Sequence, residues 1–183
     1  TAYADSIPLI AITGQVETSL LGRDVFQEAD ITGACEPFVK YSYLVRDAEE
    51  IPRIFEEAFY IASTGRRGPV LIDVPVDIQN KALEYVPADK VSLRGYKPTV
   101  KGNDLQVSKV IETLARAKRP LICTGGGTIL ANAEDEMKLF IDRHNIPAVS
   151  TMMGIGALPS NDRHYMGMLG TNGKPYANYA VSE

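Results

Sequence analysis

The chain is 183 residues long, with 45% hydrophobic residues, 23% charged residues and a formal net charge of -4, the composition of an ordinary globular sequence with room for one large domain or parts of two. No run of lysines or arginines offers an electrostatic footprint, which excludes nucleic acid and anionic membrane surfaces as partners. No apolar stretch reaches the roughly eighteen residues of a membrane span and the first residues do not look like a signal peptide, so the expected location is cytoplasmic.

An apolar strand pattern begins almost at once, at Pro8, and the first residue is Thr, so the chain is expected to start inside a domain. Leu9-Ile10-Ala11-Ile12, closed by Thr13-Gly14, reads as a buried parallel strand ending at a functional loop. Tyr41 to Val45 reads as a second strand. A helix follows, with Asp47 placed as its cap, Glu50 completing a capping box, and Ile51, Ile54, Phe55, Ala58 and Phe59 forming one apolar stripe. Gly65 closes it, and Pro69 to Val74 is a third buried strand.

The segment 79–103 is mixed and polar, broken by Pro87, Gly95, Pro98 and Gly102, and reads as an interdomain linker between a domain at 1–78 and another at 104–183. Asp104 is the expected cap of a helix with apolar positions Val107, Val110, Ile111 and Leu114. A strand at Leu121 to Cys123 runs into Gly125-Gly126-Gly127. A second helix, with Leu139 and Phe140 inside and Glu134, Asp135, Lys138 and Asp142 on its polar face, leads to a strand at Ile146 to Thr151. Strands and helices therefore alternate as in parallel α/β units, and the second half is a βαβ half of a dinucleotide-binding type of domain.

The triple glycine allows two readings, a tight turn or a loop whose backbone approaches a ligand. Further glycine-containing loops, Thr151 to Gly156 and Gly167 to Gly173, favour a ligand cleft, because ligands of open parallel sheets bind beyond the carboxyl ends of the strands. Arg66 suits either a solvated helix-end position or paired hydrogen bonds to a phosphate or flavin edge. Phe26 and Gln27 suit either a short amphipathic helix or the wall of a pocket for a small 2-oxo acid. Cys35 and Cys123 read as packing residues, His144 and His164 as structural or solvent-facing, and Asp73 and Asp77 as loop hydrogen-bonding groups.

Ile12-Thr13-Gly14-Gln15-Val16, Phe26-Gln27-Glu28, Arg66 to Pro75, Gly125-Gly126-Gly127, Thr151-Met152-Met153-Gly154 and Met168 to Gly173 together resemble the large catalytic subunit of acetohydroxyacid (acetolactate) synthase. The resemblance spans the whole chain and implies an internal fragment. Its first part would belong to the domain that binds the thiamine diphosphate pyrimidine, its last to the central FAD-binding domain. The implied reaction is decarboxylation of pyruvate and transfer of the two-carbon unit to a second 2-oxo acid, in branched-chain amino-acid synthesis.

Thiamine diphosphate, Mg2+ and FAD are the implied cofactors, with FAD taking no net redox part. Phe26 and Gln27 would then line the substrate pocket. Arg66, Gly125, Gly126, Gly127, Thr151, Met152, Leu169, Gly170, Thr171 and Asn172 would contact FAD. The activating glutamate is expected upstream and the Mg2+ site downstream, so the 183 residues alone are expected to be inactive and to hold no metal ligand. A homo-oligomer, dimer or tetramer, and a small regulatory subunit are the implied partners.

Three departures stand out: Glu17 where the family usually has Pro, Val76 where Lys is common, and Thr171-Asn172 where Met-His is usual. Rival readings are a related carboligase or acetyltransferase, such as glyoxylate carboligase or sulfoacetaldehyde acetyltransferase, and a non-catalytic nucleotide-binding module.

Overall fold

Two parallel three-stranded sheets organise the chain, one in each of two compact units, Thr1–Lys101 and Gly102–Glu183. The computed structural model describes residues 1–87 and 91–183, so the part of the expected linker at 88–90 lies outside the described residues. Both sheets are α/β and parallel, as the alternation of elements predicts.

In the first unit, β1 (Leu9–Gln15), β2 (Tyr41–Leu44) and β3 (Pro69–Pro75) lie in the order β1-β3-β2. Every residue of β3 is buried, which its Val-Leu-Ile-Asp-Val run requires of a central strand covered on both faces. Edge strand β1 leaves Ile12 60% exposed. It also runs past the expected end, carrying Thr13, Gly14 and Gln15 in register with Asp73, Val74 and Pro75.

Helix α2 (Ile51–Ser63) covers the sheet with Ile54, Ala58, Ile61 and Ala62, an i, i+4, i+7, i+8 stripe. Each large aliphatic side chain buried there contributes about 1.5–3 kcal/mol. Phe59, expected in that stripe, is instead 61% exposed, because the face that meets β3 is rotated toward Ile61 and Ala62. The capping box also differs. Asp47 caps not α2 but a 3-10 turn at Ala48–Glu50 before it, accepting from Glu49 N–H at 3.3 Å, and Glu50, at the N-cap position of α2, turns outward to Arg53 at 2.8 Å. Thr64 ends the helix and Gly65 follows in the left-handed region at φ 57°.

Two short helices complete the unit. Helix α1 (Ile31–Cys35) is capped by Asp30, which accepts from Gly33 N–H at 2.9 Å, and α3 (Val76–Gln79) follows β3. Leu93 and Tyr96, within the expected linker, pack against the first core. The Tyr96 hydroxyl donates to the Thr64 carbonyl at 2.8 Å and accepts from Lys40 at 2.9 Å.

In the second unit, β4 (Ile122–Thr124), β5 (Ala148–Ser150) and β6 (Tyr165–Met168) lie in that order. Ile141, Ala148 and Leu158 form the core, with Ile122, Met137 and Tyr165 packed around them. Helix α4 (Asp104–Arg116) is capped by Asn103 rather than Asp104, through its carbonyl oxygen to the N–H groups of Leu105 (3.0 Å) and Gln106 (3.2 Å). Val107, Val110 and Ile111 on α4 are exposed. In α6 (Glu134–His144) the buried residue is Ile141, whereas Leu139 and Phe140 face outward. Short α5 (Gly126–Leu130) and terminal α7 (Pro175–Ser182) complete the unit. No helix among the described residues is long and apolar enough to cross a membrane.

Candidate functional sites at the strand ends

At the carboxyl ends of β1, β2 and β3 the first unit opens into a cavity of about 460 Å³ lined by Gln15, Thr18, Glu28, Leu44, Arg46 and Asp73, among others. Its rear wall is held by Asp73, which is buried within β3. The carboxylate accepts the Thr13 hydroxyl at 2.6 Å and the Gln15 carboxamide N–H at 3.0 Å, tying the end of β1 to the central strand. Gln15 also donates to the Ala29 carbonyl at 2.7 Å, which anchors the loop that follows β1. Asp77 anchors the same loop from α3, accepting the Thr18 hydroxyl at 2.6 Å and its N–H at 2.9 Å. Those two bonds, the hydroxyl first, hold the Asp77 carboxyl below its ordinary pKa.

Glu28 closes the rim. It accepts from the backbone N–H groups of Gly22 and Val25, the former bond being the larger cause of its lowered pKa. Between these anchors Phe26 and Gln27 form a turn, not a short helix. Phe26 is 89% exposed, so it is no core residue of this unit, and Gln27 adopts φ 66°. A non-glycine residue in the left-handed region costs about 1–2 kcal/mol, a strain that surrounding contacts must offset. Arg66, exposed just after Gly65, donates from Nε to the Ser6 hydroxyl at 3.0 Å and from Nη2 to the Ala4 carbonyl at 3.1 Å.

In the second unit three segments leave the carboxyl ends of adjacent parallel strands: Gly125 and the first turn of α5 (126–127) after β4, a loop and 3-10 turn at 151–154 after β5, and the loop 169–173 after β6. Backbone bonds lock them side by side, from Thr151 N–H to the Thr124 carbonyl and from Leu169 N–H to the Ser150 carbonyl, both 2.9 Å. The close approach demands glycine. A Cβ on Gly154 would stand 2.3 Å from the Thr124 carbonyl oxygen, and one on Gly173 2.4 Å from that of Met168. Beside them, nothing lies within 4 Å of a Cβ position on Gly127 or Gly170. This combination of mutually packed loops with open space over two backbone segments fits the edge of a flat cofactor, which approaches main chain closely. Asn178 of α7 holds the third loop by a two-way bond to Gly170, accepting from its N–H at 2.8 Å and donating to its carbonyl at 3.0 Å.

The second unit therefore brings together Gly125, Gly126, Gly127, Thr151, Met152, Leu169, Gly170, Thr171 and Asn172. Phe26, Gln27 and Arg66 belong to the first. Sequence reasoning missed Gln15 and Asp73 as a linked pair, Gly154 and Gly173 as the glycines that sterics require, and Asn178. Gln15 lies in a quoted motif, but nothing local to Asn178 announces its partner eight residues away.

Comparison with known proteins bears on these loops directly. The family described as thiamine pyrophosphate enzyme, central domain, matches residues 107–183. Over the full chain, the acetolactate synthase of Arthrospira platensis is 48% identical, with 100% of this chain and 32% of the relative covered. The acetolactate synthase isozyme 3 large subunit of Escherichia coli strain K12 is 46% identical, with 99% of this chain and 32% of the relative covered. Along its whole length the chain is similar to acetolactate synthases. It spans about one third of the length of these relatives. A solved structure from Mycobacterium smegmatis, described as that of a thiamin diphosphate-dependent enzyme, superposes with a TM-score of 0.73 at 26% identity, over 92% of this chain and 32% of the other. The superposition agrees with the parallel α/β architecture.

Proposed function

We propose that this chain forms part of an acetolactate synthase large subunit, which decarboxylates pyruvate with thiamine diphosphate and joins the two-carbon unit to a second 2-oxo acid for branched-chain amino-acid synthesis. What supports the reading most is that the whole chain is 46–48% identical to relatives bearing that name. Those names favour the synthase over a glyoxylate carboligase-like enzyme, and over a non-catalytic module.

Thiamine diphosphate, when bound, supplies the electron sink for decarboxylation. The chain's own contribution is positional. The Phe26 ring offers apolar contact and the Gln27 carboxamide a hydrogen-bonding edge to a 2-oxo acid, on a turn held by Glu28. Gln15, Thr13 and Asp73 keep the wall behind that turn rigid. Gly125 to Gly127, Thr151, Met152 and Leu169 to Asn172 would hold FAD through main-chain groups and close packing, and Arg66 is assigned to the same cofactor on the family resemblance. A main-chain role tolerates Thr171 and Asn172 in place of Met-His. Mg2+ would be held by other segments of the subunit. Glu17 and Val76, a carboxylate gained and a cation lost, weaken the attraction of the substrate channel for anions. A cytoplasmic homo-oligomer with a small regulatory subunit belongs to the same reading.

The test is the full-length protein supplied with pyruvate, thiamine diphosphate, Mg2+ and FAD. Acetolactate formation and flavin absorbance that co-purifies with wild type but not with Gly126→Leu are expected. A Cβ on Gly126 already meets Met153 at 3.1 Å. Absence of acetolactate with flavin bound would remove the synthase reading while leaving the cofactor reading.

A further inference from the structure

At the amino end of the second sheet, opposite the glycine loops, the His164 ring is buried with 7% of its side chain exposed. Its Nε2 lies 2.9 Å from Asn145 Oδ1, and a carbonyl oxygen can only accept, so Nε2 carries the proton. In the neutral ring that leaves Nδ1 as a lone pair, and it is the buried side-chain atom without a hydrogen-bond partner among the described residues. It faces Asp142 Oδ1 and Asp162 Oδ1, each at 3.4 Å, two acceptors that have no proton to offer it. In that form three lone-pair donors converge on one point, an arrangement that a cation between them would satisfy.

We propose that Asp142, Asp162 and His164 form a binding site for a divalent transition cation of the Zn2+ type. The ligand atoms all lie within 4.8 Å of one another. Ligands about 2.0–2.2 Å from a tetrahedral ion stand about 3.3–3.6 Å apart, which the two 3.4 Å separations match. One imidazole with two carboxylates favours a borderline cation over Mg2+ or Ca2+, which take oxygen ligands. Asn145 supplies the outer hydrogen bond that fixes the tautomer of a ligating histidine. Its left-handed conformation, φ 52°, at the end of α6 aims it there.

Lys138 does not fill the site. Its ammonium bonds the opposite oxygens, Asp142 Oδ2 and Asp162 Oδ2, the latter at 3.0 Å. With both carboxylates ionised and Lys138 charged, the cluster carries one net negative charge, which a divalent cation overcompensates only to plus one. Asp162 is 4% exposed and Asp142 41%, so an ion enters from the Asp142 side. Bound there, it would clamp the end of α6 to the segment leading into β6, a structural role separate from catalysis.

The experiment is titration of chelator-treated full-length protein with Co2+ and Zn2+. Visible d–d bands of tetrahedral Co2+ at one equivalent, displaced by Zn2+, and a Zn2+-dependent rise in melting temperature are expected. His164→Gln should abolish the bands. Asp142→Asn, at an exposed position where folding is not at stake, should weaken Co2+ binding by more than tenfold, and Asn145→Ala by about 10- to 100-fold. Wild type that takes up neither ion, or uptake unchanged in both Asp142→Asn and His164→Gln, would overturn the proposal in favour of a proton on Nδ1. Flavin content and acetolactate formation are read in parallel, so loss of metal binding is distinguishable from failure of the proposed function.

Discussion

Gly154 rests directly on Thr124: a Cβ on the glycine would stand 2.3 Å from the threonine's carbonyl oxygen and 2.8 Å from its carbonyl carbon. Both contacts are backbone, so no side chain can swing away to relieve them. Gly154→Ala should therefore destabilise the second unit by about 1–3 kcal/mol, the ordinary cost of overpacking. Thermal denaturation followed by circular dichroism measures it. Gly127→Ala is the matched control, because open space surrounds its Cβ position. It should leave the melting temperature unchanged or higher while weakening flavin binding.

Asp73 is acceptor to both Thr13 and Gln15 inside the sheet. Changing it to Asn sets an amide N–H₂ against one of two donors, leaving a buried polar group unsatisfied at a cost of about 1–3 kcal/mol. Urea denaturation of Asp73→Asn, Thr13→Val and the double variant should show a coupling energy of about 0.5–3 kcal/mol between the two sites. Additive losses would mean that the hydrogen bond does not tie β1 to β3.

Thr18 depresses the Asp77 pKa, through its hydroxyl and then its N–H. A carboxyl whose folded pKa lies below the unfolded value stabilises the fold above the unfolded value, and that contribution disappears as pH falls through the folded pKa. Melting temperature recorded downward from about pH 5 should therefore fall less steeply for Thr18→Val than for wild type. An identical acid limb in the two proteins would contradict the assignment.

Gln27 holds a backbone conformation that glycine adopts without strain. Gln27→Gly should therefore keep the melting temperature, since relief of about 1–2 kcal/mol of strain offsets the entropy that glycine adds to the unfolded chain. If the carboxamide orients the 2-oxo acid, the same variant raises KM for pyruvate in the full-length enzyme. Unchanged KM with unchanged stability would reduce Gln27 to a turn residue.

Much of this architecture was legible residue by residue. The Val70 to Val74 run read as a buried strand, Gly65 marked the end of α2, and the glycine-containing segments were expected after the strands of the second sheet, where the structure places them. Such features depend on chain-local properties: apolar runs, φ preferences and short glycine-containing motifs. Tertiary structure alone decided which helical face is inside, turning Ile61 rather than Phe59, and Ile141 rather than Leu139, toward the sheets. It also chose Asn103 over Asp104 as a cap and set His164 against Asp142 and Asp162. Periodicity points a stripe only to within about one residue's 100° step, whereas packing against a particular strand selects the register. Contacts made between residues about twenty positions apart leave no trace in the neighbours of either one.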